Sequence, residues 1–417
     1  MMISESLLFE QQVEDWVYQS IISGVTNFDS LIRSLPGVYP SVAISALKRL
    51  VTKSRLTKSL VDEILSSQNC KQEISDTSFH LDKNITHPLD YDWRFTKTST
   101  NLLLEQAHIL SKKGDTIALL GTPSIFFHAD NYLTDRKIIL FDKNPTHADN
   151  VHGNSSCYTV DLLHDSLPNI QADVVIADPP WYPEHMLGFV WAASKLCKVD
   201  SHMLISLPRQ GTRPKIINDL YQLLNFAYNA GFGCLTYEHS ILSYRSPLFE
   251  NNALLAEGIN SISHNWRTAS LAIFYRHEQK LVNRPIANKE CDKWIEVKIR
   301  NVGIRLKYSD SLDFLDPTLN SIVDGNILPS VSRRDVRVPT VDVWTTGNRV
   351  FSCKGTNIVL QILYALEKNI GVSNAISNYL NRELNKTEHN LIKNCVKNII
   401  NLIHIECAEQ LKWKNDK

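Results

Sequence analysis

The segment ADVVIADPPWYP spans residues 172–183. Six mostly apolar residues run straight into Asp178, two prolines and Trp181. A short continuous apolar run of this kind reads as a strand buried on both faces. TIALL (116–120), KIILF (137–141) and HMLISL (202–207) have the same texture. Helix-like stretches lie between them, notably PEHMLGFVWAASKLCK and RPKIINDLYQLLNFAYNAG, the second ending at Gly231, a candidate C′ residue. CLTYEHSILSYR and SLAIFYRH are expected to close the sheet. Alternating strand and helix predicts a doubly wound α/β domain.

In an open α/β sheet, ligands sit outside the carboxyl ends of the strands, and Asp178 lies at such an end. Consecutive prolines fix φ and supply no N–H, so nearby carbonyls are held in place and not consumed by local pairing. A carboxylate oxygen with a fixed carbonyl makes an acceptor pair for an amino group. Trp181 offers a flat face on which a planar base can stack, worth about 1–3 kcal/mol per base in nucleic-acid systems. The competing reading is that the turn only ends a strand and Trp181 packs into the core.

Asp178-Pro179-Pro180-Trp181 resembles the (Asp/Asn)-Pro-Pro-aromatic catalytic motif of amino-directed, S-adenosylmethionine-dependent methyltransferases. The resemblance covers about residues 88–280 and is nearest to the probable N6-adenine methyltransferase group, which includes elongation-factor lysine methyltransferases. A second similarity is to the branched polyamine synthases, which join a winged helix to a related Asp-Pro-Pro domain. These resemblances imply a class I methyltransferase-like, Rossmann-type sheet and S-adenosylmethionine as cofactor. They imply that Asp178, Pro179, Pro180 and Trp181 form the catalytic turn. DTIALLGTPSIFF (115–127) matches the first strand and cofactor loop, with Gly121, Thr122 and Pro123 against the cofactor. Asp142, ending KIILFD, is expected to bind both ribose hydroxyls. Asp161 in SSCYTVDLL takes the place of an adenine contact, and Trp93 in DYDWRFTKTS lies on the segment leading into the cofactor pocket. The loop departs from the usual GxGxG pattern: Leu120-Gly121-Thr122-Pro123-Ser124 holds one glycine.

On the acceptor side, YRSPLFENNALLAEG places Pro247, Phe249 and Glu250 in an expected loop beyond the sheet. Tyr182, Phe249 and Glu250 are the candidate substrate contacts, with Glu184 a further acid; the alternative for the loop is packing under the domain edge. Three functions compete. The first is methyl transfer to an amino nitrogen, with adenine N6 in DNA or RNA leading. The second is protein lysine methylation or polyamine-type aminopropyl transfer on the same scaffold. The third is a non-catalytic winged-helix nucleic-acid-binding or scaffold protein with a degenerate methyltransferase domain.

The chain has 417 residues, so more than one domain is expected. The formal net charge is +0, which gives no chain-wide attraction for nucleic acid or anionic membrane. No apolar run reaches membrane-spanning length and the N-terminus lacks a signal-peptide core, so a cytoplasmic protein with no membrane partner is expected. The eight cysteines are scattered without a CxxC pair, which argues against a zinc site or disulfide framework. Three short helices are read in residues 11–60, the third with Lys48, Arg49, Lys53, Arg55 and Lys58 facing outward. They resemble a winged helix-turn-helix, which implies nucleic-acid contact through residues 27–58; a winged helix used for protein contact is the alternative. The expected organisation is a winged helix (1–70), a linker (71–90), the methyltransferase-like domain (91–280), a β-rich extension (281–350) and a C-terminal helical module (351–417). Within these last two, WIEVKIRNVGIRLKYSD reads as a hairpin, and Thr387 with Glu388 as the start of a long helix.

Overall fold

The computed structural model describes residues 5–66, 85–145, 147, 155–287, 293–307 and 316–415. Most of the expected linker, with Cys70 and Cys291, lies outside the described residues. The chain divides into two units: the described parts of Met1–Ile74, Trp93–Ser246 and Ser261–Lys289 form the first, and those of Ser75–Asp92, Pro247–Asn260 and Glu290–Lys417 the second.

The first unit begins with helices α1 (Glu5–Ile22), α2 (Phe28–Ser34), α3 (Pro40–Thr52) and α4 (Lys58–Ser66). The Asn27 side chain accepts the Ser30 N–H at 2.9 Å and caps α2, as its residue type favours. Pro40 opens α3, where its missing N–H costs nothing. Four helices form rather than the three expected, because Ser54 turns left-handed (φ 53°) and separates α3 from α4. The cations in and after α3 face outward as read, Lys48, Lys53, Arg55 and Lys58 being exposed, but some of them are paired. Arg49 and Lys53 close on Glu14 of α1, at 2.6 and 2.5 Å, and Arg55 reaches Asp15 at 3.2 Å. Three of the five cations are therefore paired with acids of α1, Lys53 and Arg55 while still exposed.

An eight-stranded sheet follows: β1 (Arg94–Phe95), α5 (Lys97–Ile109), β2 (Thr116–Leu120), α6 (Pro123–Tyr132), β3 (Lys137–Asp142), β4 (Ser155–Thr159), β5 (Ala172–Ala177), α7 (Pro183–Leu196), β6 (Cys197–Leu207), α8 (Ile216–Asn229) and β7 (Phe232–Arg245), then α9 (Leu248–Ala256) of the second unit, then β8 (Thr268–Arg276). The strand order is β1-β7-β8-β6-β5-β2-β3-β4. The five strands β4, β3, β2, β5 and β6 are parallel neighbours; β8 is antiparallel to both β6 and β7. This is a class I methyltransferase-like sheet. The central strands are apolar on both faces because both faces are covered. Leu103 and Leu104 of α5 and Ile125 and Phe126 of α6 pack with Ile117, Leu119, Val174 and Ile176. Met186, Phe189 and Val190 of α7 and Leu223 of α8 pack with Ala118, Leu120, Val175 and Ile205. Each fully buried aliphatic side chain contributes about 1.5–3 kcal/mol. Gly231, at φ 89°, ends α8 as read.

In the second unit, β9 (Trp294–Ile299), β10 (Val302–Lys307), β11 (Thr318–Ser321), β12 (Val343–Thr345) and β13 (Val350–Lys354) form an antiparallel sheet ordered β11-β13-β12-β10-β9. The expected hairpin is β9–β10, with Val302 paired to Ile299. Helices α10 (Thr356–Glu367), α11 (Val372–Leu380) and α12 (Lys386–Asn415) share one core with this sheet, around Val297, Ile304, Leu363, Ile399 and Ile403. The start of α12 differs from the reading. Asn385, not Thr387, accepts the Glu388 N–H at 2.9 Å, and Glu388 answers by accepting the Asn385 N–H at 3.0 Å.

Candidate active site

Sheet register builds the site. Leu120 of β2 is level with Phe141 of β3 on one side and Ala177 of β5 on the other. The next residues, Gly121, Asp142 and Asp178, therefore emerge side by side at the carboxyl edge. Two backbone bonds hold this edge: Gly121 N–H to the Phe141 carbonyl at 3.0 Å and Asp178 N–H to the Leu120 carbonyl at 3.1 Å. Ala177 is in turn level with Ile205 of β6, which brings Ser206 beside Asp178.

The Asp178 carboxylate is oriented by two hydroxyls. Ser206 and Tyr244 both donate to its Oδ1, Tyr244 at 2.7 Å. Burial, with the charge of Asp178 beside it, pushes the Tyr244 phenol well above its ordinary range, so it stays a donor. In the turn, the Pro180 carbonyl accepts the Tyr182 N–H at 2.7 Å and the Trp181 carbonyl accepts from Arg213 at 3.2 Å. Among the described residues the Pro179 carbonyl takes no hydrogen bond. The Trp181 ring is half-buried and meets Tyr244 edge-on at 5.7 Å, with the Arg267 guanidinium 5.6 Å from its centroid. Arg267 also lies over Trp93 at 5.4 Å, Trp266 at 4.8 Å and Tyr39 at 5.9 Å. Trp181 thus both packs against the core and stays partly exposed at the turn.

The N-terminal helices reach this edge too. Arg209, after β6, donates to the Leu35 carbonyl at 2.9 Å, and Gly211 N–H to the Pro36 carbonyl at 2.8 Å. A Cβ on Gly37 would stand 2.9 Å from that of Arg209, so glycine is what permits the approach.

On the side expected to hold the cofactor, Gly121 is left-handed (φ 61°). A Cβ there would meet the Phe189 ring at 3.0 Å and the Asp178 carbonyl at 3.4 Å. This glycine is required by its backbone and by Phe189; the space a side chain would take is filled from within. Thr122 follows, almost wholly buried, and among the described residues its Oγ1 has no partner. Pro123 opens α6. Asp142 accepts the Asn144 N–H at 2.8 Å, and His147 Nε2 stands 3.9 Å from the same oxygen. Asp161, two residues beyond β4, accepts from Leu163 N–H at 2.9 Å and pairs with His164 at 3.2 Å and Lys143 at 3.5 Å. Burial raises its pKa, but the Leu163 N–H, the His164 hydrogen bond and the charge of Lys143 outweigh it and leave the carboxyl below its ordinary value. Trp93 is half-buried beside Arg267.

Tyr182 is the residue before α7, its ring 6.0 Å from His185. Glu184, in the first turn of α7, lies 3.8 Å from His185. Phe249 and Glu250 are corrected: they sit on helix α9, not a loop, are fully buried and belong to the second unit. Pro247 sets the entry into that helix, and Leu248, Phe249, Ala253 and Leu254 recur at helical spacing. Sequence reasoning missed Ser206, Tyr244, Arg213 and Arg267. The one local signal was Ser206, a polar residue inside the apolar run HMLISL.

Residues 89–244 match a family model described as probable N6-adenine methyltransferase. No curated protein sequence gives a significant match. Among solved structures, a mutein of the branched-chain polyamine synthase from Thermus thermophilus, in complex with N4-aminopropylspermidine and 5'-methylthioadenosine, aligns with a TM-score of 0.54 at 10% identity, covering 69% of this chain and 97% of that one. A TehB-like SAM-dependent methyltransferase from Corynebacterium glutamicum aligns with a TM-score of 0.30 at 11% identity, over 43% and 89% of the two chains. The matched segment, under half of the chain, is similar to a methyltransferase domain, and S-adenosylmethionine is the cofactor that this likeness implies. The residues fit that cofactor: the strand-end carboxylate of Asp142 and the unpartnered buried hydroxyl of Thr122 are polar groups of the kind its ribose and methionine ends need. Among the described residues no helix is long and apolar enough to cross a membrane.

Proposed function

We propose that this chain, whose residues 89–244 are similar to a methyltransferase domain, transfers a methyl group to an amino nitrogen, and that the acceptor is adenine N6 in nucleic acid. The observation that carries this reading is the level register of Gly121, Asp142 and Asp178 at one sheet edge, with the Asp178 carboxylate fixed by Ser206 and Tyr244. When bound, S-adenosylmethionine supplies a sulfonium methyl. The task left to the protein is alignment, since an in-line displacement needs nitrogen, methyl carbon and sulfur on one axis. Asp178 and the Pro179 carbonyl accept hydrogen bonds from the two amino N–H groups, and Asp178 takes the one proton that the nitrogen sheds when it is methylated. Accepting both hydrogen bonds directs the nitrogen's remaining lone-pair density along that axis. This matters for adenine, whose exocyclic nitrogen is conjugated and weakly nucleophilic. Trp181 borders the base, and Tyr182 its outer side. Asp142 and Thr122 hold the cofactor, Asp161 and Trp93 flank it, and Gly121 keeps the edge of β2 close to β5.

A base in a duplex would first have to leave the stack, so single-stranded or damaged sites are the easier substrates. The N-terminal helices, read as a winged helix, would add contacts, but with Arg49, Lys53 and Arg55 paired to acids of α1 they carry less charge for phosphate than the sequence suggested. A methyl-tritium assay against DNA, RNA, total protein and polyamines tests the reading, with wild type beside Asp178→Ala. Label in nucleic acid that vanishes in the variant supports it. Label in protein or polyamine alone moves the acceptor to a lysine or free amine. Absence of any cofactor binding by calorimetry would instead favour a non-catalytic scaffold.

A further inference from the structure

The Arg267 guanidinium lies among four aromatic rings, 4.8 Å from the centroid of Trp266, 5.4 Å from that of Trp93, 5.6 Å from that of Trp181 and 5.9 Å from that of Tyr39. All five residues belong to the first unit. A planar guanidinium is drawn to the negative faces of indole and phenol rings, so one cation can fix several rings against each other. Of these rings, Trp181 is the one carried by the Asp178 turn. The backbone of that turn is already held: the prolines fix φ, the Pro180 carbonyl accepts the Tyr182 N–H, and the Trp181 carbonyl accepts from Arg213. None of these constraints sets the side-chain torsions of Trp181. Its ring is met from outside the turn, by Tyr244 edge-on at 5.7 Å and by Arg267.

Other elements hold Arg267 in turn. Its carbonyl accepts the Tyr244 N–H at 3.0 Å, which ties it to the strand that supplies a donor to Asp178. Burial raises the Tyr244 pKa and the charge of Arg267 opposes that rise, so the guanidinium acts at the Asp178 end of the site. The residues before Arg267 are fixed by α2. Arg33 donates to Ser263 Oγ at 2.7 Å and to Asn265 Oδ1 at 2.8 Å, and Asp29 accepts the Ser263 N–H at 2.8 Å. Tyr39, the residue before α3, meets the buried Trp266 edge-on at 5.5 Å.

We propose that Arg267 is a positioning residue for the acceptor: it holds the Trp181 ring as a fixed wall beside Asp178, and the N-terminal helices serve that wall by bracing the segment that carries Arg267. The inference rests on the nucleic-acid reading above, in which Trp181 borders a planar base. A wall fixed before the base arrives spares the entropy of ordering it on binding, so the gain falls on acceptor affinity. This role uses α2 and Tyr39 and needs no charge from α3.

The test uses the full chain with Arg267→Gln, Arg267→Lys, Trp181→Ala, the double variant Arg267→Gln/Trp181→Ala, and Arg33→Ala. Methylation of a single-stranded oligonucleotide gives kcat and acceptor KM, its anisotropy across a salt series gives the salt slope, and calorimetry gives S-adenosylmethionine affinity. Arg267→Gln is expected to raise acceptor KM roughly fivefold to tenfold while kcat and cofactor affinity stay within about threefold of wild type. Arg267→Lys should recover part of the loss, because the charge returns without the flat fork. In the Trp181→Ala background, Arg267→Gln should raise KM by less than about twofold, since a residue that acts through Trp181 has nothing left to hold. Arg33→Ala should raise KM about twofold to threefold with the salt slope unchanged. If wild type methylates nucleic acid while the Arg267→Gln and Trp181→Ala effects multiply, or while Arg267→Gln leaves KM unchanged, this inference falls and the parent reading stands. If cofactor affinity falls in step with KM, Arg267 supports the whole sheet edge and the inference falls. If Arg33→Ala flattens the salt slope, α2 contacts phosphate and its bracing role falls. If wild type labels no nucleic acid, both readings fall together.

Discussion

Tyr244 donates to the same carboxylate oxygen of Asp178 that Ser206 does, although the two hydroxyls come from strands 38 residues apart in sequence. Asp178 is thereby held from the side of the sheet rather than from its own turn. A hydrogen bond to a charged group contributes about 1.5–3 kcal/mol, so the carboxylate has little freedom to swing.

Tyr244→Phe keeps the ring that stacks on Phe95 at 4.7 Å and removes only the donor. Its kcat is expected to fall roughly tenfold or more with cofactor affinity unchanged. Single-turnover kinetics with a saturating cofactor check this. An unchanged rate would mean that Asp178 needs no outside orientation.

Asp178→Ala should be the most damaging single change to turnover, by roughly 10²–10³-fold, because no side-chain acceptor remains for the amino group. Thermal unfolding should change little beside this loss. A variant that retains near-normal turnover would remove Asp178 from the proposed role.

Asp142→Ala should weaken S-adenosylmethionine binding roughly tenfold or more, through loss of two charge-assisted bonds to the ribose. Calorimetry reads this directly, whatever the acceptor. Equal affinity in the variant would place the ribose elsewhere.

Gly121→Ala should destabilise the first unit by about 1–2 kcal/mol from its left-handed backbone alone, with further strain from the Phe189 ring at 3.0 Å. Adding Phe189→Leu is expected to relieve the steric part and not the backbone part. Thermal melts of the single and double variants separate the two; additive losses would show that the ring is not the obstacle.

The second unit carries a pH dependence of its own. Burial pushes the Glu406 carboxyl up to about 7, although Thr345, the Gly347 N–H and Arg349 all favour its charged form. A folded pKa above the unfolded one means that this group's contribution is complete below about pH 4.5 and is lost as pH rises through about 7. Melting temperature should therefore decline between about pH 5 and 8 in wild type, and less steeply in Glu406→Gln. Parallel profiles would show that Glu406 does not titrate in that interval.

Much of this protein was legible as local pattern. TIALL, KIILF and ADVVIA became β2, β3 and β5 because a strand covered on both faces has to be apolar throughout. Asp142 and Asp178 stood out because each ends such a run. Tyr244 and Arg245 could not be read in that way: they end a fourteen-residue strand whose pairing, antiparallel to β8 and to β1, depends on chain segments far away. Phe249 and Glu250 looked like a loop because Pro247 precedes them, and the helix they join is decided by what buries its apolar side. The basic residues of α3 looked outward because helical spacing says which side is polar, not which acids face it; Glu14 is supplied by another helix. Sequence alone thus determined where the strands end and which acids stand at those ends, since hydrophobic burial acts on neighbours along the chain. Tertiary structure alone decided which hydroxyls and guanidiniums meet those acids, since hydrogen bonds and ion pairs form between groups that only the sheet order brings together.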